Sequence, residues 1–179
     1  MPTSSTPPIP YDRAKAVAYA HKWAFRRNPA YYDYENLGGD CTNFASQCLY
    51  AGTGVMNYTP TFGWYYINAN QKAPAWTGVP YFYNFLTRLP PPGPGPVGVE
   101  VDDLTQMEPG DFVQLMFREG VWSHTPIIVS MGRRPTLQNT LIAAHSYDAD
   151  NRPLSSYTVL RYRFIHILGA YPQKPLEWY

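Results

Sequence analysis

The sequence has little cysteine, since Cys41 and Cys48 are the only two in 179 residues. On one helix, residues seven apart are separated by about 10.5 Å along the axis. A disulfide needs Cα atoms within about 7 Å of each other. The two thiols therefore cannot easily bond to each other, and the chain lacks a disulfide framework.

An excess of charge of one sign is also lacking, because the formal net charge is only +1. A nucleic-acid partner, a membrane surface or a strongly acidic substrate would call for a marked positive charge. No run approaches the roughly 20 apolar residues that a membrane span requires. We therefore expect neither a nucleic-acid nor a membrane partner.

Motifs for metals and phosphates are missing as well. The sequence contains no CxxC pair and no HExxH, which are common ligand spacings of zinc sites. It also contains no GxxxxGK[ST] and no GxGxxG, so it offers no recognisable phosphate-binding loop. We expect no metal and no cofactor.

The length predicts one domain, with residues 1–10 as a flexible leader and residues 11–179 as a single catalytic domain. The leader, MPTSSTPPIP, has neither the basic nor the apolar segment of a signal peptide. We expect a protein that stays in the cytoplasm or that is exported by means of a segment this chain lacks.

The first half of the domain predicts helices. Residues 11–27 show helical spacing with Asp12 as a cap, and residues 41–51 form a second helix, capped by Asp40 and closed by Gly52. A short helix is predicted over 79–88. The Pro- and Gly-rich residues 89–98 are expected to form a surface loop, because such a run cannot be a helix or a central strand.

The second half predicts strands at residues 112–117, 122–131, 141–146 and 159–168, with turn signals between the first two. Helices followed by antiparallel strands make an α+β domain, with the N-terminal helices packed on a C-terminal antiparallel sheet. Between these strands, Asp148, Asp150 and Asn151 also fit a plain polar turn.

The segment GGDCTNFASQ places Cys41 in the first turn of the second helix, directly after Asp40. A helix N-terminus carries about half a positive charge, which lowers the pKa of a thiol placed there. Free cysteine is often merely a buried small residue, but this position favours a nucleophile. Cys48, two turns further along, is expected to be structural.

A nucleophilic thiol needs a base beside it, and His124 at the end of a predicted strand is the candidate. A third polar group usually orients such an imidazole. His145, after the apolar run LIAA, is one candidate for a hydrogen bond to the far nitrogen of His124. Asp148 and Asp150 compete for this role.

Aromatic residues make up 16% of the chain, which is high. Such side chains line ligand clefts as well as cores. We expect Trp64, Tyr65 and Trp76, together with Asp40, to contribute to substrate binding, although at least half of the aromatic residues in this region are expected to pack in the core.

Taken together, these segments resemble the putative amidase domain family of bacteria, within the papain-like cysteine hydrolases that include CHAP and NlpC-like domains. The matching segments span residues 11–167, and the most specific of them is GGDCTNFASQC. The resemblance implies a papain-like fold, with Cys41 as nucleophile, His124 as base and His145 at the position of the third, polar residue.

The expected function is therefore a cysteine-dependent amidase or peptidase that forms a thioester acyl-enzyme. Its expected substrate is a peptidoglycan-derived peptide, or the amide that joins this peptide to the glycan, and we expect a monomer. Two alternatives remain open: a non-catalytic module that binds glycan or peptide, and an acyltransferase that uses an amine in place of water.

Overall fold

The computed structural model describes residues 7–89 and 93–174 of the chain. Its elements lie in the order α, α, ββ, αα and then a run of strands, as the α+β prediction requires. The helices are α1 (Arg13–Trp23), α2 (Cys41–Thr53), α3 (Pro74–Thr77) and α4 (Val79–Leu86), and two 3-10 turns cover Leu104–Gln106 and Leu154–Ser156. The strands are β1 (Tyr66–Asn68), β2 (Gln71–Lys72), β3 (Gly95–Val101), β4 (Phe112–Arg118), β5 (Val121–His124), β6 (Ile127–Met131), β7 (Thr140–Ala144), β8 (Ala149–Pro153) and β9 (Arg161–Tyr171).

Seven strands form one antiparallel sheet in the order β3-β9-β4-β6-β7-β8, and β5 pairs with β4 beside this path. Strands β1 and β2 form a separate hairpin. The α+β class and the antiparallel sheet are confirmed. Within residues 7–89 and 93–174, no helix is both long and apolar enough to cross a membrane.

The sheet separates two hydrophobic clusters. One face, which includes Phe112, Ile127 and Ala143, packs against α1, α2 and α4. The opposite face, which includes Leu115 and Ile142, is covered by the two 3-10 turns and their loops. Because side chains alternate along a strand, this division decides which residues of β5 and β7 face the helices.

The predicted helices exist, but several of their ends differ. Asp12 caps α1 as predicted, since its Oδ1 accepts a hydrogen bond from the Lys15 N–H at 3.0 Å. Helix α1 ends at Trp23 rather than at residue 27, and α4 ends at Leu86. Helix α2 continues through Gly52 and is closed by Gly54, whose φ of 67° is left-handed.

The strand predictions need three corrections. The strand predicted over 122–131 is two strands, β5 and β6, because Thr125 and Pro126 interrupt it. Strand β8 includes Asp150 and Asn151, for which the sequence also predicted a polar turn. Strand β3 begins inside the predicted loop at Gly95, and its position at the edge of the sheet accommodates Pro96. The three prolines at 90–92 lie outside the described residues.

The expected leader also differs in part. Ile9 forms an antiparallel bridge with Ala170, with N–H to O=C distances of 2.9 and 3.1 Å. Residues 1–6 lie outside the described residues.

Gly52 lies inside α2 at a position where the ring of Tyr11 leaves no space for a side chain. A Cβ at this position would lie 2.3 Å from Cε2 of Tyr11, and the Tyr11 hydroxyl is held by a 2.9 Å hydrogen bond to the Gly110 carbonyl. Gly→Ala inside a helix ordinarily stabilises by about 1 kcal/mol. Here we expect Gly52→Ala to lower the free energy of unfolding by about 1–3 kcal/mol, as in an overpacked core.

Urea unfolding of Gly52→Ala and Gly54→Ala measures this effect. Gly54 has no atom near its absent Cβ, so Gly54→Ala reports backbone conformation alone; its expected cost is about 1 kcal/mol. A Gly52→Ala protein as stable as the wild type would contradict the packing explanation.

Candidate active site

The N-terminus of α2 meets the junction between β5 and β6. The sulfur of Cys41 lies 4.0 Å from the Ser123 carbonyl oxygen, and the hydroxyls of Thr42 and Thr125 are 3.2 Å apart. Ser123 and Thr125 flank His124 in the chain. The structure therefore brings the predicted nucleophile and the predicted base into one region, although more than 80 residues separate them.

Asp40 holds the first turn of α2 in place. The residue is fully buried, and its Oδ1 accepts hydrogen bonds from the Tyr34 N–H and from Nδ2 of Asn43, both at 2.8 Å. Its side chain caps no N–H of α2. The prediction that Asp40 caps the helix through its side chain is wrong, because both oxygens of its carboxylate are bound to other buried partners.

His145 is the other buried partner of Asp40. Its Nδ1 lies 2.6 Å from Oδ2 of Asp40, its Nε2 lies 2.8 Å from the Trp23 carbonyl oxygen, and its ring stacks on Phe44 at 3.9 Å. A carbonyl and a carboxylate can only accept hydrogen bonds, so an imidazolium with both N–H groups satisfies both partners. The two residues then form a buried ion pair.

The expected hydrogen bond between His145 and His124 is not made, because both ring nitrogens of His145 are already used. The physical reason is the alternation of side chains along β7. Ala143 packs against the helices, and His145, two residues later, points the same way. His124 is paired with Leu115, which packs on the opposite face.

The two competing carboxylates do not contact His124 either. Asp148 accepts two hydrogen bonds from the guanidinium of Arg27, at 2.9 and 3.1 Å. Asp150 lies 2.8 Å from Nδ1 of His21. Each candidate third residue thus has a partner elsewhere.

The environment of Cys41 and His124 favours their neutral forms. Burial raises the pKa of the Cys41 thiol, and the nearby Thr42 hydroxyl and the Thr125 N–H offset only part of this rise. Burial, together with the positive charge of Arg152, lowers the pKa of His124 to about 4. The expectation of a lowered thiol pKa at Cys41 is wrong, because burial raises this pKa by more than the hydrogen bonds to the sulfur lower it.

Cys48 is a buried core residue. It is 0% exposed, it packs among the residues of the helix-side cluster, and burial raises its pKa well above the usual value. Cys41 retains 7% exposure. The two thiols therefore differ in access rather than in the direction of their pKa shifts.

A cleft of about 600 Å³ lies beside His124. Its wall carries several hydroxyls, two tyrosine rings and one guanidinium, and it includes no carboxylate among the described residues. The lining residues are Phe117, Ser123, His124, Ser146, Tyr147, Arg152, Ser156, Tyr157 and Thr158. Cys41 is not among these residues, but its sulfur lies 4.0 Å from the carbonyl oxygen of Ser123, which is one of them.

The predicted aromatic binding residues do not line this cleft. Trp64 and Trp76 are 0% exposed, and their ring N–H groups donate to Oγ of Ser46 and to Oδ1 of Asn43, both at 3.0 Å. Tyr65 packs against the same core cluster. The rings of Trp64 and Trp76 thus fill the core, whereas Tyr65 stays partly buried at its edge.

Sequence reasoning missed most of the cleft, which comes from residues 146–158. In the β7–β8 turn, Ser146 and Tyr147 have φ values of 60° and 62°, which are unusual for residues other than glycine. Backbone strain of this kind clusters at functional sites. The hydroxyl-rich run from Ser155 to Thr158 is a sequence signal by which this segment could have been found.

A metal centre has no support from the described residues. No group of three or more His, Cys, Asp or Glu side chains within them is placed to hold a metal ion.

The raised pKa of Cys41 makes a prediction about its alkylation by iodoacetamide, which reacts with the thiolate. We expect the rate to keep rising beyond pH 9, because the thiol loses its proton only above its usual pKa. Thr42→Val removes the hydroxyl that favours the thiolate, so its profile should move to still higher pH. Thr42→Ser keeps the hydroxyl and should match the wild type.

Mass spectrometry of the Cys41 peptide gives these rates. A midpoint below pH 8 in the wild type would show that the helix dipole or His124 dominates over burial.

The Asp40–His145 pair makes a prediction about stability. Removing one partner of a buried pair typically costs about 3–5 kcal/mol, because the other charge is left uncompensated. We expect His145→Gln and Asp40→Asn each to lower the free energy of unfolding substantially, and the double variant to cost less than the sum. A urea-unfolding double-mutant cycle measures this coupling, and additive effects would contradict the pairing.

Comparison with known proteins identifies the family of this chain. A family model described as "Putative amidase domain" matches residues 10–168. The "Uncharacterized protein YhbB" of Bacillus subtilis (strain 168) is 34% identical over 169 residues, which cover 88% of this chain and 50% of that protein. The chain thus spans half the length of this relative. No solved structure matches this chain. With nearly the whole domain covered by the model, the chain belongs to the putative amidase domain family.

Proposed function

We propose that this protein is a cysteine-dependent amidase in which Cys41 is the nucleophile and His124 the general base. The observation that carries the proposal is the packing of the Cys41 sulfur against the segment that bears His124, 4.0 Å from the Ser123 carbonyl. The cleft beside His124 gives a substrate a place to bind. Membership of an amidase family supports hydrolysis of an amide as the reaction.

The neutral resting state determines how the reaction begins. Since the pKa of the Cys41 thiol is raised and that of His124 is lowered to about 4, the thiol keeps its proton until it attacks. As sulfur bonds to the amide carbonyl carbon, the thiol proton passes to the ring nitrogen of His124. A neutral imidazole is already in the form that accepts this proton.

The oxyanion formed by this attack needs hydrogen-bond donors. The first N–H groups of α2, including that of Cys41, have no partner within the helix and supply one donor. The second donor in this proposal is the hydroxyl of Tyr157, which is buried at the cleft wall beside the guanidinium of Arg152. Burial raises the pKa of Tyr157 despite the nearby Arg152, so the hydroxyl keeps its proton.

The intermediate then collapses to a thioester. The carbon–nitrogen bond breaks, and the imidazolium of His124 gives its proton to the leaving amine. Water attacks the thioester with His124 again as base, which releases the acid and restores the thiol. In this scheme His145 is a positioning residue, because it acts through Asp40 on the first turn of α2.

As substrate we propose a bacterial cell-wall peptide, or the amide that joins such a peptide to its glycan. The support is the resemblance of GGDCTNFASQC to papain-like CHAP and NlpC-like hydrolases, together with a cleft whose hydroxyls suit a polar peptide. The papain-like relationship is part of this proposal.

The test is to incubate purified protein with peptidoglycan fragments and to follow newly released amines by mass spectrometry. We expect Cys41→Ala and His124→Ala to lose at least a thousandfold in rate. Tyr157→Phe should lose about 10- to 1000-fold in kcat, by analogy with the loss of one oxyanion donor. Cys48→Ala is the matched control, since it removes a thiol that is 0% exposed, and it should keep its activity.

Three outcomes would overturn this proposal. Cleavage that survives Cys41→Ala removes the cysteine mechanism. Binding without turnover, unchanged in Cys41→Ala, indicates a binding module. Conjugates that form when an amine acceptor is added, in place of hydrolysis products, indicate acyl transfer.

A further inference from the structure

We infer that Arg152 binds a carboxylate of the substrate next to the scissile amide, so that the site selects anionic over neutral acyl groups. This inference rests on the proposed function, because it assigns the substrate class of the same site. It starts from the charges of the cleft, in which Arg152 is the single guanidinium and no carboxylate is present among the described lining residues.

Arg152 is held in a fixed position at the cleft wall. Its Nε donates to Oγ of Ser156 at 2.7 Å, and one terminal nitrogen lies 3.4 Å from the Ser156 carbonyl oxygen. Its guanidinium carbon lies 3.7 Å from the centroid of the Tyr157 ring. A guanidinium fixed in this way loses little side-chain entropy on binding a planar anion.

No carboxylate within residues 7–89 and 93–174 forms an ion pair with Arg152. The two acidic residues nearest to it in sequence, Asp148 and Asp150, are bound to Arg27 and His21 instead. The guanidinium therefore keeps the capacity to bind an anion that enters the cleft. Arginine and carboxylate form charge-assisted, often bidentate hydrogen bonds.

The position of Arg152 relative to His124 sets where the carboxylate lies on the substrate. Tyr157 contacts both, since its ring centroid is 5.7 Å from that of His124. The guanidinium and the imidazole therefore both lie against the ring of Tyr157. We accordingly place the carboxylate on the residue that carries the scissile carbonyl.

Anion binding would also help the reaction. The charge of Arg152 is one cause of the low pKa of His124. A bound carboxylate neutralises this charge and makes the imidazole a stronger base at the moment when the substrate is present. An anionic substrate would then gain in kcat as well as in binding.

The experiment compares iodoacetate with iodoacetamide, two alkylating reagents of similar size that differ in charge. Equal concentrations of both react with the native protein, and mass spectrometry measures the ratio of carboxymethyl to carbamidomethyl on Cys41. Glutathione under the same conditions gives the intrinsic ratio. We expect the wild-type ratio to exceed that of glutathione at least tenfold.

The variants separate charge from packing. Arg152→Gln should bring the ratio to within twofold of glutathione, whereas Arg152→Lys, which keeps the charge, should retain part of the preference. Arg134→Gln is the matched control, because it removes one charge from an exposed position away from the cleft. Cys41→Ala should abolish the labelling, since Cys48 is fully buried.

A wild-type ratio equal to that of glutathione, or an unchanged ratio in Arg152→Gln, overturns the anion site and leaves the amidase proposal standing. An Arg152-dependent preference without any amide hydrolysis supports the anion site and counts against the amidase proposal. If neither reagent labels Cys41 unless the protein is denatured, both proposals fail.

Discussion

The buried carboxylate of Asp40 is the contact on which the geometry of the site depends. It joins the loop at Tyr34, the first turn of α2 at Asn43 and the end of β7 at His145. His145 in turn bonds the end of α1 through the Trp23 carbonyl. Burying two charges is costly unless all their hydrogen-bonding atoms are satisfied, and here both oxygens of the carboxylate and both ring nitrogens have partners. The loop at Tyr34, α1, α2 and β7 are thereby joined, and they fix the position of Cys41 at the start of α2.

Burial decides the chemistry of the site as much as its shape. A helix N-terminus and a neighbouring histidine are often linked to an ionised thiolate, but the helix effect is modest and short-ranged. Desolvation of a nearly enclosed sulfur works in the opposite direction and prevails at Cys41. The same desolvation keeps His124 unprotonated. The pair is thus suited to a mechanism in which proton transfer and sulfur attack occur together.

The sequence predicts best where a local rule applies. Asp12 and Asp40 precede helix starts and the turn residues around 119 mark a hairpin, so the starts of α1 and α2 and both ends of β4 lie close to their predicted limits, whereas α1 ends earlier and α2 later than predicted. The chemistry that a thiol requires predicted that Cys41 lies near the segment around His124, and the structure places its sulfur 4.0 Å from the Ser123 carbonyl oxygen. The partners of His145 do not follow from the sequence, because the face of the sheet that a side chain takes is a tertiary property, and here Asp40 and the Trp23 carbonyl occupy both ring nitrogens. The burial of Trp64 and Trp76 does not follow from the sequence either, because large aromatic rings suit a core and a cleft equally well.

One further consequence follows from the protonated state of Cys41. Peroxide oxidises thiolates much faster than thiols, and access to the sulfur limits the reaction as well. The Cys41 thiol, which is 7% exposed and whose pKa is raised by burial, is therefore shielded from conversion to sulfenic acid. Cys48, fully enclosed, offers no resolving partner for a disulfide. The fold thus protects the Cys41 thiol from oxidation and provides no second thiol for a regulatory disulfide.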